Sequence, residues 1–213
     1  YILEDFKGYC HTDAYSAYQT LFVTKPIVNV ACLAHVRRKF VEVAKTAPAK
    51  GLAHEAIDII AKLYAVEKHV KDHGLSYDEI KAYRLEKSKP ILEEFYQWLL
   101  RYQSKVPPKM PIGKAFAYTL KIWPSLNTYL QDGRLEIDNN RSERAIKPFV
   151  IARKNWLFMG NEKGATAATH LFSLIETAKR YGLNPFDYLR HIFTKLPLAT
   201  SLQDYEALMP FNC

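Results

Sequence analysis

From Gly51 to Asp132 the sequence offers helix after helix and no strand, and this 82-residue block limits what the rest of the chain can build. Apolar positions at helical spacing predict one helix over 52–72, stopped near Gly74. Ser76 with Glu79 three residues later forms a capping box that opens the next helix. Ile80, Tyr83, Ile91, Phe95, Trp98 and Tyr102 supply its buried side. Pro90 is expected to kink or divide it, because proline removes a hydrogen bond and clashes with the preceding turn. Pro107-Pro108 breaks the chain again. A helix over 112–122 follows, then a shorter one from about Ser125 to Gln131, ended by Asp132-Gly133. Any sheet must therefore come from the flanks.

The leading flank supplies it. "GYCHTD" (8–13) reads as a short strand, "AYSAYQTL" (14–21) as a short helix, and "PIVNVACLAH" (26–35) as a buried strand rich in β-branched residues. A helix from about Ala34 to Ala47 places Val36, Phe40, Val43, Ala44 and Ala47 on one stripe. After the helical block, "FVIARKNWLFMG" (149–160) reads as extended. A long helix over about 165–181 is capped by Gly182, and Asn184-Pro185 opens another that Pro197 stops. A short helix around 202–208 comes last. The skeleton is strand–helix–strand–helix, a helical insert, then helices: a mixed α/β layer, helix-rich overall.

Composition supports a packed protein with a basic bias. The 213 residues are 48% hydrophobic and 24% charged, enough apolar surface for a core and too much for disorder. The net charge of +8 is uneven. Residues 1–50 carry seven Lys/Arg against four Asp/Glu, and residues 133–164 also carry seven against four. If these segments meet they form a basic face suited to a polyanion such as nucleic acid; a soluble protein of high isoelectric point is the plainer alternative. Three cysteines without framework spacing suit a reducing cytosol, and no apolar run is long enough to span a membrane. The chain starts at Tyr1, not Met, and reads as a piece of something longer.

Two carboxylates are candidates for chemistry, each with a plain structural role beside it. Asp13 follows a strand, where a side chain can project into a ligand crevice, with His11 on the same face by period-two alternation; it also fits the N-cap of the helix at 14–21. Glu143 lies in "DGRLEIDNNRSERAIKP" (132–148), four carboxylates, two asparagines and four basic residues in seventeen positions. Asn140 to Glu143 also fits a capping box, and Glu143 with Lys147 a helical ion pair. Those local roles do not explain the crowding of Asp138, Asn139, Asn140, Arg141 and Arg144 around one turn. Cys32 and His35 supply two zinc-type ligands without a second matched pair, so a buried thiol and an orienting or packing histidine fit better. Arg153, Lys154 and Trp156 suit phosphate contact with base stacking, or else a core tryptophan with a basic flank.

"HTDAYSAY", "VACLAHVRRKF", "DGRLEIDNNRSERAIKP", "RKNWLFMG" and "LFSLIETAKRYGLNPFDYLRHIFTKLP" occur in this order over nearly the whole chain. Together they closely resemble the carboxyl-terminal part of bacterial transposases of the insertion sequence 66 family. The resemblance implies a ribonuclease H-like core, truncated at its N-terminal strands and interrupted by a large all-α insertion. It divides the chain into core (1–50), insertion (51–132), Glu-bearing and C-terminal core helices (133–197) and tail (198–213). It makes Asp13 and Glu143 the second and third members of an Asp-Asp-Glu triad; the first Asp has no match, and Asp5 sits in the connector before the strand. It implies two magnesium or manganese ions in the intact enzyme, and DNA contacts from Arg37, Arg38, Arg141, Arg144, Arg153, Lys154 and Trp156. Cys32, His35 and Asn140 take supporting places. Partners would be DNA at element ends and target, further copies of the chain assembled on DNA, and accessory proteins of the same element, in the bacterial cytoplasm at the nucleoid. Without the first Asp the chain by itself is expected to be inactive. A non-catalytic DNA-binding or assembly module derived from a transposase is the alternative.

Overall fold

The computed structural model describes residues 3, 5–13, 16–47, 49–155 and 159–213. Two short parallel strands form its sheet: β1 (Gly8–Thr12) pairs with β2 (Ile27–Ala31), with Gly8 opposite Ile27 and Thr12 opposite Ala31. Parallel strands need a crossover, and a 3₁₀ turn (Ser16–Tyr18) with α1 (Gln19–Thr24) provides it. Helix α2 (Leu33–Thr46) leaves the end of β2 directly and buries Leu33, Val36 and Phe40; Val43 and Ala44 pack beside them, whereas Ala47 is exposed.

Residues 51–132 are helix and turn throughout: α3 (Leu52–Asp72), α4 (Tyr77–Gln103), α5 (Pro111–Lys121), α6 (Trp123–Leu126) and a 3₁₀ turn (Thr128–Gln131). The expected capping box is present: the Glu79 amide donates to Ser76 Oγ, and Ser76 N donates to Glu79 Oε2 at 2.8 Å. Pro90 does not divide α4. It sits on an exposed face, where the carbonyl it leaves without a helical partner can turn to water, and the buried side chains on either side hold one line. Phe40 of α2 meets Phe95 of α4 and Phe116 of α5 at ring-centroid distances of 6.3 and 5.8 Å. The strands and the helical block thus share one core, in which Val30, Val36, Phe40, Leu63, Phe95, Leu99 and Phe116 are buried.

A buried ion pair stitches this block together. Arg84 of α4 donates Nε to Glu67 Oε1 at 2.9 Å and Nη2 to Glu67 Oε2 at 2.7 Å, while Nη1 reaches the Leu135 carbonyl at 2.7 Å. The guanidinium–carboxylate pair is two-pronged and Nη1 meets backbone carbonyls, which lowers the cost of burying the charges. Its third prong anchors the turn that leads toward residues 138–140.

The chain divides into two compact units, residues 1–140 and 141–213. The second holds α7 (Asn140–Asn155, apart from its first residue), α8 (Glu162–Arg180), α9 (Pro185–Lys195) and α10 (Leu202–Ala207). Residues 149–155, expected to be extended, are helical. The half-buried positions Ala145, Pro148, Phe149 and Ala152 recur at helical spacing, a stripe that alanine and proline conceal in the sequence. Phe149 packs edge-on against Phe172 of α8 at 5.8 Å. Asn184 caps α9 as expected, accepting from the Phe186 amide at 2.9 Å. A small cluster of Ala178, Tyr188 and Ile192 joins α8 to α9, and Tyr188 donates to the Leu208 carbonyl at 2.9 Å.

Candidate active site

Asp13 is exposed immediately past the end of β1. The strand end beneath it is tied on three sides. The Cys32 amide donates to the Thr12 carbonyl at 3.3 Å. Thr12 Oγ1 donates to Asn29 Oδ1 of β2 at 2.8 Å, and Asn29 Nδ2 donates to Ser125 Oγ of α6 at 3.3 Å. The carbonyl of Asp13 itself accepts the Tyr118 hydroxyl of α5 at 3.0 Å. Burial pushes the Tyr118 phenol up to about 12, the charge of Asp13 adding to this, so it stays a donor at neutral pH. The Lys39 ammonium lies 4.5 Å from the centre of the same ring. His11, expected to share a face with Asp13, differs from it in exposure. Both its ring nitrogens are buried, and burial lowers its pKa against the opposing pull of Glu136 and Asp138. The strand ends at Thr12, so alternation no longer governs Asp13.

The turn at residues 137–140 is fastened to the same end of the sheet. Leu33 N donates to the Ile137 carbonyl at 3.1 Å, and the Asn139 amide reaches Cys32 Sγ at 3.4 Å. Cys32 is buried, which raises its thiol pKa and keeps it a neutral acceptor. Asp138 is buried too, and its carboxylate accepts three hydrogen bonds. They come from Tyr64 Oη of α3 at 2.9 Å, the Asn140 amide at 3.0 Å and Asn140 Nδ2 at 2.8 Å. Asn140 therefore spends its side-chain nitrogen on Asp138, forming a tight polar turn from which α7 departs. Glu143 lies half-buried in the first turn of that helix.

The structure of residues 1–140 accordingly gathers Asp13, Cys32 and Asn140 at the carboxyl ends of two parallel strands. His35 is half-buried in the first turn of α2, and Arg37 and Arg38 are exposed on the same helix. In the second unit, Arg141 and Arg144 are exposed in the first turns of α7, and Arg153 and Lys154 in its last turn. Trp156 lies outside the described residues. Among the described residues no three His, Cys, Asp or Glu side chains are close enough to hold one metal ion together. No described helix is long and apolar enough to cross a membrane.

Tyr64, Tyr118 and the Arg84–Glu67 pair escaped the sequence reading. The tyrosines sit on amphipathic helices and pass for ordinary packing aromatics. Nothing within a few positions marks where a phenol hydroxyl will end.

Comparison with known proteins agrees with the motifs. Residues 1–167 match the Transposase IS66 family and residues 173–211 match the IS66 C-terminal element. Three uncharacterized proteins of Sinorhizobium fredii (strain NBRC 101917 / NGR234) are similar. The protein y4jD is 34% identical over 99% of this chain and 42% of its own length. The protein y4qI is 33% identical over 99% of the chain and 40% of itself, and y4hP 29% identical over 97% and 40%. The chain thus spans about two fifths of the length of these curated relatives. No solved structure matches. With both family segments in register over nearly its whole length, the chain belongs to the IS66 transposase family.

Proposed function

We propose that the chain is the carboxyl-terminal part of the catalytic core of a DNA transposase that cuts element ends and joins them to target DNA by phosphoryl transfer. In this reading the core is ribonuclease H-like, with residues 51–132 as its helical insertion, 133–197 as the Glu-bearing and C-terminal core helices and 198–213 as the tail. Asp13 and Glu143 are two of its three catalytic carboxylates. The observation that carries the reading is the clustering, at one end of a parallel strand pair, of Asp13 and the Asp138–Asn140 turn that opens the Glu143 helix. Carboxyl ends of parallel strands are where open α/β sheets place their ligands.

The donor set fits magnesium or manganese: Asp13 and Glu143 offer hard carboxylate oxygens, Asp13 on an exposed strand end, whereas the buried, raised-pKa thiol of Cys32 does not suit such ions. A pair of these ions, when bound, would stabilise charge on the attacking and leaving oxygens at phosphorus. The protein's own work is positional. Tyr118 holds the backbone of Asp13, and Tyr64 with Asn140 holds Asp138 within the turn at residues 138–140. Arg37, Arg38, Arg141, Arg144, Arg153 and Lys154, with Trp156, would contact DNA, an assignment that rests on the family motifs and on the exposure of the six cations. Assembly of several copies on DNA, accessory proteins of the same element and a place at the nucleoid belong to the same proposal.

No residue of the chain matches the first Asp of the triad, so the 213 residues alone are expected to bind DNA and manganese without turning over. Manganese titration followed by paramagnetic resonance tests this. Asp13→Asn and Glu143→Gln should each weaken binding, while Asp187→Asn on α9 should not. Binding indifferent to both, together with salt-sensitive DNA binding, would favour a non-catalytic assembly module. Cleavage by the isolated chain that Glu143→Gln abolishes would sink the expected inactivity.

A further inference from the structure

A second feature of residues 1–140 lies beside the Asp138 turn. Helices α2 and α3 flank an open groove of about 540 Å³. Ala34 and Val41 of α2 and Ala61 and Tyr64 of α3 give it an apolar lining, and Arg37 and Arg38 add two exposed guanidinium groups. Asn140, where α7 begins, is a further part of its wall. The small side chains matter: alanine at 34 and 61 leaves space between helices that leucine would fill. Tyr64 is fixed by its hydrogen bond to Asp138, so its ring is a rigid wall.

This combination selects a ligand. A duplex could set its phosphates on the arginines, but its bases stay stacked inside the helix, leaving the apolar lining unfilled. An isolated phosphate would likewise leave it empty. A nucleotide unpaired from its complement has both parts: an anion for the guanidinium forks and a flat, weakly polar base for an apolar slot beside a tyrosine. The volume lies within the usual range for small-ligand pockets, roughly 300–1,000 Å³.

We propose that the groove between α2 and α3 is a binding site for one unpaired nucleotide of a DNA strand, with Arg37 and Arg38 on its phosphates and its base against Tyr64, Ala61 and Val41. The site rests on the reading of the chain as a DNA-processing protein but not on its metal chemistry. It gives that reading a preference for a strand already separated from its partner.

The test uses the 213-residue chain in chelator, so that no divalent ion contributes. Fluorescence anisotropy would compare an oligothymidylate about ten nucleotides long with an abasic strand of equal length and charge. The expected result is tighter binding of the oligothymidylate, by about tenfold, and its loss in Ala61→Trp, which fills the groove without changing charge. Ala61 is exposed, so the helix should tolerate the ring; thermal melts followed by circular dichroism would check this. Val41→Trp fills the groove from the other side and should behave alike. Arg37→Ala should weaken both strands. Equal affinity of the wild type for the two strands, or indifference of the oligothymidylate to both tryptophan variants, overturns the site while leaving DNA binding intact. Absence of binding to either strand overturns the site together with the DNA reading beneath it.

Discussion

Tyr118 illustrates how much can rest on one hydroxyl. It fixes the backbone of a candidate catalytic residue 105 positions away, and burial favours its neutral form. Tyr118→Phe should cost about 1 kcal/mol, the usual net worth of such a hydrogen bond, and should speed amide exchange around residue 13 without altering helix content. The phenol's pKa rises from 10 in the unfolded chain to about 12 in the fold. Its contribution to stability is therefore complete below pH 10 and is lost as pH climbs through about 12. Denaturant titrations across that window should show a smaller decline in the phenylalanine variant. Arg84 makes a larger claim. With both members of its pair nearly inaccessible, Arg84→Ala would strand the Glu67 carboxylate in the core and release the turn at Leu135. A loss of about 3–5 kcal/mol in urea unfolding is expected. Neither role was visible in the sequence, where Glu67 and Arg84 are two charges among many on helices that present charge to water.

Among the elements, most helices were legible because their signals are local. Ser76 with Glu79, Asn184-Pro185 and the Val36–Phe40 stripe each lie within one or two turns, and the structure has the caps and buried faces they specify. Pro90 does not divide α4, and the run Phe149-Val150-Ile151, strand-like by composition, belongs to α7, which also continues through Pro148. Val150 and Ile151 stay exposed while Phe149 packs on Phe172, so contact with a neighbouring helix overrode local preference. Proline within a helix costs roughly 3 kcal/mol relative to alanine. Pro148→Ala should therefore slow hydrogen exchange of the amides of residues 149–155 by about tenfold or more. Unchanged exchange there would mean that α7 is held by its packing alone.

For the whole molecule, the excess of eight positive charges is the property that matters first to a polyanion. Affinity for a duplex should fall steeply between about 50 and 200 mM salt, and replacing Arg37 and Arg38 together by alanine should reduce the slope of log K against log salt by nearly two. A slope unmoved by that double change would remove α2 from the DNA-contacting surface. The sequence by itself determined the order of most elements up to residue 140, the capped ends of several helices, the basic segments and the motifs that assign the family. All of these are written in residues a few positions apart, where backbone geometry and hydrophobic period act. Only the tertiary structure decided that Tyr118 would meet Asp13, that Tyr64 would hold Asp138 across 74 positions, and that α2 and α3 would leave a groove between them. Those outcomes depend on how helices pack. A hydroxyl's partner and a gap between two alanines follow from crossing angles and neighbouring side-chain volumes, for which no short stretch of sequence carries a signal.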